Sequence, residues 1–170
     1  LTVDASGEPA PAARLLAPTL DSTPGRWRLA GRRLLNPASA GAPAWHLELT
    51  PADGERLPVW EAGDLLRIIV PADPDRPRDY SIASLPADGS VQLLVRLAQR
   101  PDGRLGLASG WLIEGLAIGD ELDAHLQAHP GFRLGDNAGR ALILIGNGTG
   151  IAGLRALLKA RAAVASRPSA

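Results

Sequence analysis

The stretch Arg78-Asp79-Tyr80-Ser81 places a cation, an aromatic ring and a hydroxyl within four residues. In an extended segment, side chains two positions apart point to the same face, so Arg78 and Tyr80 are predicted to share a face while Ser81 faces the other way. Taken alone, this pattern also describes an ordinary strand with a core tyrosine and a solvated arginine. Its meaning therefore depends on the sequence around it.

Several segments on either side of this stretch have the alternation of apolar and polar residues that is typical of half-buried strands. Proline- and glycine-rich turns separate them, which favours an antiparallel barrel or sandwich. A short helix is predicted from Ser109 to Glu114. The predicted strands are Trp27–Leu29, Trp45–Leu49, Leu65–Val70, Val91–Leu97 and Glu121–Leu126.

The pattern changes after Arg140. Residues 141–145 are continuously apolar, as expected of a parallel strand that is covered on both faces. A glycine turn follows, and apolar residues then recur at helical spacing (Ile151, Leu154, Leu157, Leu158 and Ala162). We therefore predict a linker or surface arm over residues 1–25, a β-barrel over 26–136 and the start of an α/β nucleotide-binding domain over 137–170.

Two glycine-containing turns are candidate phosphate sites. Gly106-Leu107-Ala108-Ser109 precedes the short helix, whose first turn offers free N–H groups, although Ser109 also suits an ordinary helix cap. Gly146-Asn147-Gly148-Thr149-Gly150 lies between the apolar strand and the helix, where a glycine turn binds a pyrophosphate. Tight strand–helix packing is the alternative, because no acidic residue follows Asp136.

A cation, an aromatic face and two glycine turns in this order suit a ligand with a flat ring at one end and phosphates in the middle, such as a flavin dinucleotide.

The amino-acid composition argues against several other classes of protein. The 18 basic and 18 acidic residues cancel, so no overall charge attracts nucleic acid. The chain has no cysteine and no apolar run of about 20 residues, so we expect no iron–sulfur site and no membrane span. His125 and His129 lack a third ligand nearby, and no metal site is predicted.

These motifs resemble those of the ferredoxin–NADP reductase superfamily, and within it the flavoprotein subunit of sulfite reductase and the diflavin reductases. Residues 78–84 match the R-x-Y-S segment and its continuation, and residues 106–109 with Leu112 match the second flavin motif. Residues 146–155 match the G-x-G-T-G turn of the pyridine-nucleotide domain. The resemblance covers roughly residues 27–165.

The resemblance implies an antiparallel Greek-key FAD-binding barrel followed by the first strand, turn and helix of a nucleotide-binding domain. Arg78 would hold the FAD pyrophosphate, Tyr80 would stack on the isoalloxazine ring, and Ser81 would be the catalytic hydrogen-bonding group near flavin N5. The other implied cofactor-binding residues are Asp79, Leu94, Val95 and Arg96 along the flavin, Gly106, Leu107, Ala108 and Ser109 around the FAD phosphates, and Gly148 and Thr149 toward NADPH.

The implied activity is that of an NAD(P)H:flavin oxidoreductase. Hydride passes from NADPH or NADH to FAD, and single electrons then leave to a flavodoxin-like FMN domain or a haem protein. A flavin-binding electron relay without its own NAD(P)H oxidation, and a flavin-free barrel, stay open as alternatives. We expect a cytoplasmic protein, or one on the cytoplasmic face of a membrane-tethered parent.

Three departures from the family pattern are visible. The family has proline where Gly153 stands and an aromatic residue where Leu154 stands. Residues 71–77 form a short predicted loop in place of the helical insertion of diflavin reductases. The chain also stops within the expected nucleotide domain, so we expect a fragment that holds FAD, binds NADPH poorly and is inactive alone.

Overall fold

The computed structural model describes residues 25–165. The predicted arm over residues 1–25 lies outside this range, apart from Gly25, which begins the first strand. Within this range, six strands and two α-helices make up the main regular structure. They are β1 (Gly25–Leu34), β2 (Ala44–Pro51), β3 (Leu65–Val70), β4 (Asp73–Ser81), β5 (Val91–Arg96), α1 (Leu107–Gly110), β6 (Glu121–Gln127) and α2 (Ile151–Ala165).

All strand pairs are antiparallel, and the strand order is β4-β3-β6-β1-β2-β5. The two outer strands meet just beyond the end of β4, where Ile82 bridges to Leu93 and the Ala83 N–H donates to the Gln92 carbonyl at 2.7 Å. This contact closes the sheet into a barrel. The predicted antiparallel barrel and its Greek-key class are confirmed.

The alternation of apolar and polar residues in the sequence corresponds to the alternation of inward-facing and outward-facing side chains in the barrel wall. Along β5, Val91, Leu93 and Val95 are buried, while the side chains between them face outward. Leu112 and Ile113, in the π-helical turn Trp111–Gly115 that continues α1, also join the core. Burial of these apolar side chains is the main stabilising contribution to the fold.

Three predictions about individual elements need correction. The short helix begins at Leu107, two residues before the predicted start, and ends in the π-helical turn. Residues 73–77, predicted as loop, belong to β4: a tight turn after Val70 lets Asp73 pair with Val70, and residues 74–77 form an irregularity in the register before Arg78 pairs with Ile68. The connection is nevertheless short, as expected.

The third correction concerns residues 141–145, which the sequence predicts to be a buried parallel strand. They are in no sheet, and Ile143 and Ile145 are 90% and 89% exposed. A strand needs a neighbour to pair its backbone N–H and C=O groups, and no parallel neighbour exists within residues 25–165.

The predicted helix after the glycine turn is confirmed as α2, which packs against the barrel. Leu154 and Leu157 are buried, whereas Ile151 and Leu158 of the same predicted apolar set are half exposed. The Arg155 guanidinium donates to the Ala83 carbonyl at 2.6 Å and to Gln92 Oε1 at 2.8 Å, and Lys159 pairs with Asp88. These contacts hold the helix beside the point where the barrel closes.

Candidate cofactor-binding site

A cavity of about 350 Å³ opens at the end of β4, between that strand and the start of α1. Among residues 25–165, three guanidinium groups and no carboxylate line it. The lining residues are Arg78, Tyr80, Arg96, Ala98, Arg100, Gly106, Leu107, Ala108 and Ser109. The first two sequence motifs, residues 78–81 and 106–109, therefore meet at one cavity, although 24 residues of the chain lie between them.

Strand alternation places the side chains of β4 on two faces, as predicted. Arg78 and Tyr80 both line the cavity, whereas Asp79 points to the opposite face and forms a two-pronged ion pair with Arg67 at 2.6 and 2.8 Å. Hydrogen bonding to Arg67 lowers the pKa of the Asp79 carboxyl below its ordinary value. The structure thus does not bring Asp79 to the cavity with its neighbours.

Tyr80 is half buried: it packs against the hydrophobic core and also lines the cavity. Burial raises the pKa of its phenol, and the nearby positive charge of Arg78 only partly offsets this effect. The phenol therefore stays neutral at physiological pH. It offers an aromatic surface that the strand holds in place.

The three arginines of the cavity differ in their partners. Arg78 donates to Asp73 Oδ2 at 3.0 Å and to the carbonyl of Arg76. Among residues 25–165, the side chains of Arg96 and Arg100 have neither an ion pair nor a hydrogen bond. Two unpaired guanidinium groups beside a third form a site for an anion such as a phosphate.

Arg100 was not among the predicted site residues. The sequence signal available for it was a further cation immediately before the Pro101–Gly103 turn, which leads into the Gly106 motif.

The Gly106 motif is built tightly into the fold. A Cβ on Gly106 would lie 2.9 Å from Ser109 Oγ and 3.0 Å from the Ala98 side chain, so only glycine fits there without displacement. Ser109 Oγ accepts from the Ala98 N–H at 3.1 Å and is itself buried. This hydroxyl fastens the loop to the end of β5, while Leu107 and Ala108 line the cavity beside it.

A second cavity, of about 360 Å³, lies on the other side of Arg96. Leu94, Arg96, Gly148 and Thr149 line it, together with the β1–β2 loop, which sequence reasoning did not single out. Gly148 has a φ of +56°, and a Cβ on it would lie 1.7 Å from Arg96 Nη2. The glycine turn and Arg96 are therefore in direct contact.

Besides Asp79, two predicted site residues line neither of these cavities. Val95 is 2% exposed in the barrel core, so only its backbone is available to a ligand. Ser81 lies beside the first turn of α2, with its Cβ 3.5 Å from the position that a Cβ of Gly153 would occupy. Its hydroxyl forms no hydrogen bond within residues 25–165, which leaves it available.

Other site classes find no support in the part of the chain that the structure describes. No group of three or more His, Asp or Glu side chains is arranged to hold a metal ion between residues 25 and 165. No helix in the same range is long and apolar enough to cross a membrane.

We compared the chain with known proteins. No family model matches it. It is 33% identical over 113 residues to the sulfite reductase [NADPH] flavoprotein alpha-component of Mannheimia succiniciproducens, a match that covers 64% of this chain and 18% of the relative. It is 40% identical over 94 residues to NADPH-dependent diflavin oxidoreductase 1 of Cryptococcus neoformans, with 52% and 15% covered. The chain thus spans less than a fifth of either relative.

The fold is similar to that of ferredoxin–NADP+ reductase from Plasmodium falciparum, with a TM-score of 0.64 and 22% identity over 81% of this chain and 52% of the reductase. The sequence matches confirm the resemblance to sulfite reductase flavoproteins and diflavin reductases, and the structural match confirms the fold that a resemblance to ferredoxin–NADP reductases implies.

Proposed function

We propose that this chain is the FAD-binding module of an NAD(P)H-dependent flavin oxidoreductase. The observation that carries the proposal is the cavity between β4 and α1, where Tyr80 offers an aromatic face next to three arginines, and where the described part of the chain places no carboxylate. The two sequence relatives support it, because the name of each refers to NADPH and to a flavin protein.

The side chains present fit a flavin dinucleotide. The side chains of Arg96 and Arg100 have no hydrogen-bond or ion-pair partner within residues 25–165. Arg78 can donate to a phosphate oxygen in place of the Arg76 carbonyl. In our proposal these groups neutralise the diphosphate, and the backbone of Gly106–Ala108 passes close to it. Tyr80 supports the ring system from one side, and the free hydroxyl of Ser81 donates a hydrogen bond to its polar edge.

Bound FAD supplies the hydride-accepting and single-electron chemistry, which no side chain of this chain can supply. The protein binds and orients the reactants. In the proposal the second cavity receives the nicotinamide nucleotide, and Gly148 permits close backbone approach there, while Arg96 stays with the FAD diphosphate. The division into a barrel over residues 26–136 and a nucleotide-binding part from 137 onward follows from this assignment.

The electron acceptor is proposed only by class. We propose a flavodoxin-like FMN domain or a haem protein, to which electrons pass one at a time. A cytoplasmic location, or one at the cytoplasmic face of a membrane-tethered parent, is part of the same proposal.

Equilibrium binding of a series of flavins tests the proposal. The full chain is titrated with FAD, FMN and riboflavin, and quenching of flavin fluorescence is measured. Because the arginines recognise the diphosphate, FAD is expected to bind more tightly than FMN, and FMN more tightly than riboflavin. Equal affinities for FAD and riboflavin, or no binding at all, would refute the assignment of this cavity.

A second measurement separates the enzyme from an electron relay. NADPH is added without oxygen to the FAD-loaded protein, in the longest polypeptide that contains this chain. Loss of the visible flavin absorbance supports NAD(P)H oxidation by the protein itself. Persistent absorbance, with full reduction by dithionite, supports the relay.

A further inference from the structure

Residues 129–133, here called the arch, are fastened at both ends to one buried carboxylate. Asp64 is 1% exposed, and its Oδ1 accepts from the His129 N–H at 3.0 Å and from Arg133 Nη2 at 2.7 Å. The carbonyl of Asp64 accepts from the N–H of Ile82 at 3.1 Å. One residue therefore fixes both the arch and the strand end that carries Ser81.

Phe132, the only phenylalanine of the chain, occupies space left by two glycines on two different elements. Gly63 has a φ of +105°, and a Cβ on it would lie 1.8 Å from the Phe132 carbonyl oxygen. A Cβ on Gly153, in α2, would lie 2.8 Å from Cε1 of the Phe132 ring. Neither glycine accepts a side chain without displacing Phe132. The His129 ring stacks on the same phenyl group, with ring centroids 6.0 Å apart.

Ser81 also lies close to Gly153. The same Cβ position on Gly153 lies 3.5 Å from Ser81 Cβ, which is an ordinary van der Waals distance. Since the Ser81 hydroxyl has no hydrogen-bond partner within residues 25–165, packing around the side chain decides where the hydroxyl points. The first turn of α2 lies next to Ser81 at Gly153, and Phe132 contacts the same glycine.

We propose that Phe132 is a positioning residue: its ring sets the separation of α2 and β4 and thereby orients the Ser81 hydroxyl toward the bound flavin. The inference rests on the proposed function, since it concerns the ligand of the same site. It also explains why this chain has glycine at position 153, where the family that it resembles has proline. A residue larger than glycine at that position would overlap the ring of Phe132.

A double-mutant cycle tests this coupling. FAD affinity and the absorption maximum of bound FAD are measured for the full chain and for Ser81→Ala, Phe132→Ala and the double variant. Each single change is expected to weaken FAD binding about threefold to tenfold, the range for one lost hydrogen bond. The double variant is expected to bind no more weakly than Ser81→Ala. Independent effects that multiply would overturn the inference.

The geometric half of the inference is tested without flavin. Gly153→Ala is expected to lower the thermal unfolding temperature of the otherwise unchanged chain, but not that of Phe132→Ala, where the added methyl group has room. Equal losses in the two backgrounds would contradict the proposed contact.

Two controls keep the outcomes distinct. Leu122→Val shortens a core side chain of β6, so it is expected to lower the unfolding temperature and leave FAD affinity unchanged. Phe132→Leu replaces Phe132→Ala if the alanine variant does not fold. An unsubstituted chain that fails to bind FAD refutes the proposed function. Normal FAD binding with multiplying single effects refutes only the role of Phe132.

Discussion

Replacing Arg78 by alanine is expected to weaken FAD binding strongly while the barrel stays folded. A hydrogen bond to a charged group is worth about 1.5–3 kcal/mol, which corresponds to an affinity loss of about 10- to 150-fold. The expected loss of folding stability is smaller than this loss of binding free energy. Arg78 pairs with Asp73, and the two side chains are 37% and 29% exposed, so screening limits the pair to about 0–1 kcal/mol of stability.

Arg67→Ala is the matched control for this experiment. Arg67 lies on the neighbouring strand and forms a two-pronged ion pair with Asp79, but it does not line the cavity. Its loss should cost at least as much stability as the loss of Arg78 and leave FAD binding intact. FAD affinity is measured by fluorescence quenching, and stability by thermal unfolding of the flavin-free chain.

The reasoning fails if Arg78→Ala retains FAD affinity within about twofold, since even one neutral hydrogen bond is worth that much. It also fails if Arg67→Ala loses as much affinity as Arg78→Ala, because binding would then depend on overall charge or stability.

Three further predictions follow from the same geometry. Tyr80→Ala is expected to weaken FAD binding with the fold intact, and Tyr80→Phe to retain binding, as measured by flavin titration and circular dichroism. Gly148→Ala is expected to cost about 1–2 kcal/mol in denaturant unfolding, because alanine resists a positive φ and its methyl group meets Arg96. Arg67 holds the pKa of Asp79 below its ordinary value of 3.8, so this pair stabilises the fold fully above that pH. That contribution is lost as pH falls through the lower folded pKa, and unfolding midpoints at a series of acidic pH values should show the loss in the parent chain but not in Asp79→Asn.

Local patterns predicted the barrel and part of the candidate site. Alternation along 91–97 follows directly from the strand period, as does the shared face of Arg78 and Tyr80. The helical spacing after Ile151 likewise predicted α2, because apolar residues three and four positions apart share one helix face.

The predictions that failed depend on neighbours rather than on local pattern. Residues 141–145 have the composition of a buried strand, but within residues 25–165 nothing pairs with them. Residues 73–77 look like a loop because of their prolines and charges, yet they belong to β4, which pairs with β3 at Asp73 and again from Arg78 onward. Local propensity is a weak prior where pairing decides the outcome.

The amino-acid sequence by itself determined most of the segments that become strands, which faces those strands bury, and that a cation and an aromatic ring share one strand face. These properties follow from side-chain periods of a few residues, which any single segment already contains. Tertiary structure alone decided that Arg100 joins Arg78 at one cavity, that Asp79 is paired to Arg67, and that Phe132 packs against Gly153 of α2. Such contacts join residues far apart in the chain, and their distances are set only when the barrel closes and the helix packs against it.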